Sequence, residues 1–207
     1  MNAEEFWNLP RSAAPTKVFL ELAPALPVRL PAATLQQGVV IEVRGAGGGV
    51  WSGRLVDGRL QTQEGASADP ICRVVLERGT LRELVAGSLR DRGLQIMEKL
   101  GRPRAAPDFS RLPVRDDRAR ALTGLQGSVA LDIVDRRFGE TLRVVFTFGA
   151  GPAAFETASA TVTVDADEAV TWIAGRIDPR VILKSGRLRV DGDLSLLTRA
   201  LGLLLEP

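Results

Sequence analysis

At 207 residues, with 45% hydrophobic and 25% charged side chains, the chain is globular in composition and long enough to bury roughly 70% of its unfolded surface without a metal or disulfide. It has no histidine, no tyrosine and one cysteine, Cys72, which excludes His-activated nucleophiles, His-containing or Cys-cluster metal sites and an internal disulfide. The 27 basic side chains are scattered among 25 acidic ones for a net charge of +2, so there is no basic field for nucleic acid; acid–base chemistry would fall to carboxylates, Lys17, Lys99, Lys184 or arginine.

Met1–Glu5 lacks the positively charged start and apolar run of a signal peptide. Residues 1–37 form an irregular entry segment with Pro10, Pro15, Pro24, Pro27 and Pro31. Val39–Arg44 alternates as a half-buried strand, with Val39, Ile41 and Val43 on one face. Gly45–Gly49 is a hairpin loop; it has neither the spacing nor the following helix of a phosphate loop. Val50–Val56 and Arg59–Gln63 are strands joined by Asp57-Gly58, a strong hairpin signal, and Ile71–Leu76 is another strand. Cys72 alternates with Val74 and Leu76, which reads as a buried structural thiol. Thr80 and Glu83 have the spacing of a capping box opening a short helix, Gly87 is its stop, and residues 88–100 are helical again. Residues 101–120, with six Arg, three Asp and three Pro, read as an exposed connector in which Asp116 or Asp117 starts a short helix.

The second half follows the same order. Val129, Leu131 and Ile133 share one strand face, and Leu142, Val144, Phe146 and Phe148 share one face of the next. Asp132 and Asp135 read as an exposed strand end; buried together, they would be the candidate acid–base pair. Phe155–Val164 supplies one or two strands. Asp165 caps a helix with Asp167 and Glu168 in its first turn, ended by Gly175. Asp178-Pro179 starts another, Gly186 stops it, Arg187–Asp191 is a short strand, and Asp193 caps a final helix. In that helix Ser195, Arg199, Gly202 and Glu206 make one narrow polar stripe, while Leu194, Leu197, Leu201 and Leu204 form an apolar ridge expected to face inward. The helix is then a lid over a cavity, a part of the core or an oligomer contact. The longest uncharged stretches, Leu30–Ile41 and Val144–Phe155, have only 12 residues, too few for stable membrane insertion, so a cytoplasmic protein is expected.

The halves align at an offset of 88: Val74-Val75-Leu76 falls on Val162-Thr163-Val164, and Leu84–Gly87 on Trp172–Gly175. Duplication of a unit explains that period better than a solenoid. Residues 115–207 resemble the sterol carrier protein-2-like (SCP-2-like) family in GSVALDIVDRRFGETLRVVFTF, in ATVTVDADEAVTWIAGRIDP and in the closing SGRLRVDGDLSL. The first half is similar more weakly, through VWSGRLVDG, and lacks that ending. The resemblance implies an α+β fold of two units, 38–112 and 113–207, each a curved, mostly antiparallel sheet covered by short helices. It also implies an apolar tunnel between sheet and C-terminal helix that holds a lipid, fatty acyl, sterol-like or polyketide/isoprenoid-like ligand.

The residues expected to line that tunnel are Phe146, Phe148, Trp172, Ile173, Ile177, Ile182, Leu188, Leu194, Leu197, Leu201 and Leu204. No catalytic group, metal or cofactor is expected. The leading reading is a non-catalytic carrier of an apolar small molecule. The alternatives are an interaction module with a filled core, docking to itself as a homodimer or to a partner enzyme, and an enzyme using Asp132 and Asp135 on an apolar substrate.

Overall fold

Apolar alternation between Gly- and Asp-rich turns lays down eight strands: β1 Val39–Arg44, β2 Gly49–Val56, β3 Arg59–Glu64, β4 Cys72–Glu77, β5 Gly127–Asp135, β6 Glu140–Phe148, β7 Ala160–Asp165 and β8 Arg189–Gly192. Among the described residues five helices accompany them: α1 Arg78–Ala86, α2 Ser88–Lys99, α3 Asp116–Thr123, α4 Ala166–Ile173 and α5 Leu194–Leu205. Before β1, a π-helical stretch Lys17–Leu22 runs into one turn, Ala23–Ala25. This computed structural model describes residues 9–25, 35, 37–99, 116–149, 154–173 and 185–205. Most of the charged connector, and the expected signals at Gly175 and Asp178-Pro179, lie outside the described residues.

Local signals explain several joints. Asp57 and Gly58 both take positive φ, 48° and 73°, as a type I′ turn between β2 and β3 requires. The Asp165 carboxylate accepts from the Asp167 N–H at 3.0 Å, and the Asp193 carboxylate from the Leu196 N–H at 2.9 Å, so both expected caps form. The expected capping box does not. Helix α1 already starts at Arg78, which places Thr80 inside it. Glu83 serves the next helix instead, its Oε2 accepting from the Ser88 N–H at 2.8 Å. Gly87 is extended rather than left-handed; a Cβ there would run into Glu83, so close approach is what demands glycine. Phe155 belongs to no strand, since β7 begins only at Ala160.

All strands join one sheet, in the order β3-β2-β1-β4-β6-β5-β7-β8. It is mixed: β1–β4 and β5–β7 are parallel, and the other five pairings are antiparallel. In place of two separate sheets, β4 and β6 pair across the expected boundary, Arg73 with Thr147 through Leu76 with Val144. Left apart, each would present an edge of unpaired N–H and C=O groups. The same scheme occurs on both sides of this joint. Strand β1 is antiparallel to β2 and parallel to β4, and β5 is antiparallel to β6 and parallel to β7. Helices α1 and α4 each follow directly. By pairing register β1 and β5 are offset by 90 residues rather than 88, because Val39 faces Cys72 where Val129 faces Ala160.

One face of the sheet carries the helices. The other is buried at its centre too: Val40, Val75, Ala130 and Val145 are each 0% exposed, and Phe155 covers Val75, Ala130 and Val145 with Arg44 stacked 4.9 Å over its ring. The expectation of β1 as a half-buried strand is thereby corrected, because β1 lies inside the sheet with cover on both faces.

Ion pairs tie α2, which belongs to the first half, to the second. Arg92 pairs with Asp135 at the end of β5 and with Asp167 of α4 at 2.9 Å. Arg137 adds a backbone N–H to Asp135 at 3.0 Å. Removing one member of a buried pair strands the other charge. Arg92→Ala is therefore expected to destabilise by roughly 3–5 kcal/mol in urea unfolding, while Arg92→Met with Asp135→Leu recovers much of the loss.

Candidate apolar binding site

The helices settle on the sheet as three separate apolar clusters. In the first, Val18, Phe19 and Leu22 with Leu81 and Ala86 of α1 cover Val43, Trp51, Leu76 and Val144. In the second, Leu89 of α2 and Ala169 and Val170 of α4 cover Ile133, Leu142 and Val164. In the third, Ala119 and Leu122 of α3 and Leu196, Leu197 and Ala200 of α5 cover Val129, Phe148, Ala160 and Val162. Each cluster buries its own centre.

The seams between clusters stay half-buried. Phe146 borders the first and third clusters, Leu131 and Leu188 the second and third, and Leu84 the first and second. Phe146 lies beside Val74, and Val74 beside Ile41, in one cross-strand row. These three are also half-buried, although the row ends in Trp51 at 2% and Val129 at 7% exposure. Apolar side chains in mid-sheet that the helices leave incompletely covered are the part of the fold available to an apolar ligand.

Of the expected lining residues, Phe146 and Leu188 stand at these seams. Phe148 and Leu197 are buried inside the third cluster, and Leu201 is half-buried against it. Leu194 is 54% exposed, which corrects the expected inward ridge. At 100° per residue, Leu196, Leu197 and Ala200 fall on one arc, and Leu194 lies roughly 100° or more from its middle. The side chains of Trp172, Ile173 and Leu204, and residues Ile177 and Ile182 altogether, lie outside the described residues. Leu131, Leu84, Ile41 and Val74 were not singled out. The face of Leu131 and Ile41 was legible from alternation, but the gap above it was not.

The two carboxylates do not form an acid–base pair. Asp132 and Asp135 are three apart on one strand, hence on opposite faces. Asp132 pairs with Arg143 across β5–β6 at 3.2 Å, and Asp135 is 4% exposed against Arg92, not an exposed strand end. Cys72 packs half-buried against the third cluster, and burial pushes its thiol up to about 11. Among the described residues no group of acidic or cysteine side chains could hold a metal ion, and no helix is long and apolar enough to cross a membrane.

The profile of the SCP-2 sterol transfer family matches residues 109–204. No curated protein matches the chain. Among solved structures, sterol carrier protein 2 from Yarrowia lipolytica in its apo form is similar at 15% identity and a TM-score of 0.29, over 36% of this chain and 68% of that one. The sterol carrier protein domain 2 of Helicoverpa armigera has 18% identity and a TM-score of 0.29, over 38% of this chain and 65% of that one. Sterol carrier protein 2 like 2 from Aedes aegypti has 16% identity and a TM-score of 0.30, over 54% of this chain and 95% of that one.

Two outcomes follow from the burial pattern. Leu197→Asp buries an unpaired carboxylate and is expected to lower the unfolding midpoint sharply, by the equivalent of about 3 kcal/mol or more. Leu194→Asp, exposed in the first helical turn, is expected to stay within about 0.5 kcal/mol. The raised thiol leaves Cys72 almost without thiolate at pH 8. Iodoacetamide should label it about 100-fold more slowly in the folded protein than in urea, for two units of pKa. The same raised value means that the thiol's contribution to stability is complete below pH 9 and is lost as pH climbs toward 11.

Proposed function

We propose, from the match of residues 109–204 to the profile of the SCP-2 sterol transfer family, that the chain is a non-catalytic carrier that holds an elongated apolar molecule, such as a fatty acyl chain or a sterol-like or isoprenoid-like ligand, between the sheet and the helices of its second half. The observation that carries this reading is the set of half-buried apolar residues at the seams, Phe146 and Leu131 in mid-sheet and Leu188 just before the edge strand β8. Binding there is by burial. Each methylene taken from water contributes about 0.8 kcal/mol, so a chain of some ten carbons needs no specific polar contact. Helix α5 then forms one wall of the site while also completing the third cluster.

The first half reads as a diverged copy that no longer holds an apolar ligand over β1 and β2. Register places Gly53 opposite Val39 as Phe146 lies opposite Val129, and Trp51 opposite Ile41 as Val144 lies opposite Leu131. Trp51 is 2% exposed and packs on Phe19 with ring centroids 5.0 Å apart. Side chains of the protein itself thus occupy the volume over β1 and β2, and the copy acts as a support for the second half.

Native mass spectrometry of protein purified without detergent is expected to show a co-purifying lipid mass, and cis-parinaric acid is expected to bind at one equivalent. Phe146→Arg with Leu131→Gln should weaken that binding at least tenfold while leaving the far-ultraviolet circular dichroism spectrum unchanged. A ligand-free mass, a dimer and no fatty-acid binding would favour the interaction module instead.

A further inference from the structure

Away from those seams, the N-terminal segment and α1 enclose a cavity of about 360 Å³, within the range of small-ligand sites. Its floor is apolar, from Val18, Leu81 and Val85. Among the described residues, three arginines, Arg11, Arg78 and Arg82, contribute to its lining and no acidic residue does. In a chain whose net charge is only +2, three like charges around one cavity are a local excess that a ligand of opposite sign would neutralise.

The walls are held in place. Leu9 is buried at 5% exposure and Pro15 is fully buried, which anchors the segment at both ends of the cavity wall. Arg90 donates through one nitrogen to the carbonyls of Leu9 at 3.2 Å and Val85 at 3.3 Å, tying the segment to the last turn of α1. Its own charge is met by Asp91 at 2.7 Å. The lining arginines are engaged less fully. Arg78 gives one hydrogen bond, to the Ala46 carbonyl at 2.6 Å, out of the five a guanidinium can donate. Arg82 is 53% exposed and lies 3.5 Å from Glu83, whose other oxygen is taken by Ser88.

We propose that this cavity binds a phosphate group carried on a small apolar body, the arginines taking the phosphate and the floor taking the body. Guanidinium donors match phosphate oxygens in geometry and charge, and arginine remains charged at any working pH. Val18, Leu81 and Val85 give the apolar part a surface that inorganic phosphate cannot use. The site is separate from the seams and does not depend on the carrier reading.

The test is titration of the full chain with 1-naphthyl phosphate by calorimetry. Saturable binding is expected, at least tenfold tighter than either inorganic phosphate or 1-naphthol. Arg11→Gln with Arg82→Gln should weaken it at least tenfold at an unchanged thermal midpoint, with cis-parinaric acid fluorescence unaltered. Displacement of the naphthyl phosphate by phosphatidic acid vesicles, but not by phosphatidylcholine vesicles, assigns the group to a lipid headgroup; no displacement by either assigns it to a soluble phosphate ester. Absence of saturable 1-naphthyl phosphate binding, or equal binding by the double variant, overturns the proposal.

Discussion

The antiparallel pairing of β4 with β6 is the joint on which everything else rests. It turns two similar runs of strands into one sheet, and it places Val75 and Val145 side by side where neither meets solvent. None of the three helix-side clusters is confined to one half. Val144 completes the cluster over β1 and β2, Ile71 belongs to the cluster beneath α5, and Leu89 packs among residues of the second half. Separating β4 from β6 would therefore open edges and interrupt packing together, so the two halves are expected to fold as one cooperative unit.

A sheet buried at its centre on both faces needs two kinds of cover. The helices supply one, as three clusters with seams between them. A loop side chain, Phe155, supplies the other, with a guanidinium on its ring. Short helices cannot tile a wide sheet without gaps, because each buries one stripe against the strands directly beneath it. The half-buried positions of Phe146, Leu131 and Leu188 are the outcome of that geometry.

The charges follow a consistent arrangement. Asp132 with Arg143 and Asp135 with Arg92 are neutralised where they sit, as Glu42 is between Arg44 at 3.2 Å and Arg73 at 3.6 Å. Carboxylates so matched fix strands and dock α2. The cavity beside α1 is different, since among the described residues its lining holds three arginines and no acid.

The sequence by itself determined the local elements: the alternation in β1, β5 and β6, the Asp57-Gly58 turn, the helix starts at Asp165 and Asp193, and the resemblance carried by the second half. Each of these rests on a few neighbouring residues whose backbone preferences act wherever the chain goes. The capping box at Thr80 failed because α1 starts earlier and Glu83 finds a partner in the next helix. Only the tertiary structure decided that β4 meets β6, that Val40 is buried, that Leu194 faces solvent and that Asp135 lies under Arg92. It also decided where the seams fall. Those outcomes depend on which helix lies over which strand, between residues some 40 to 70 positions apart, and a period of two or 3.6 says which face is apolar without saying what will cover it.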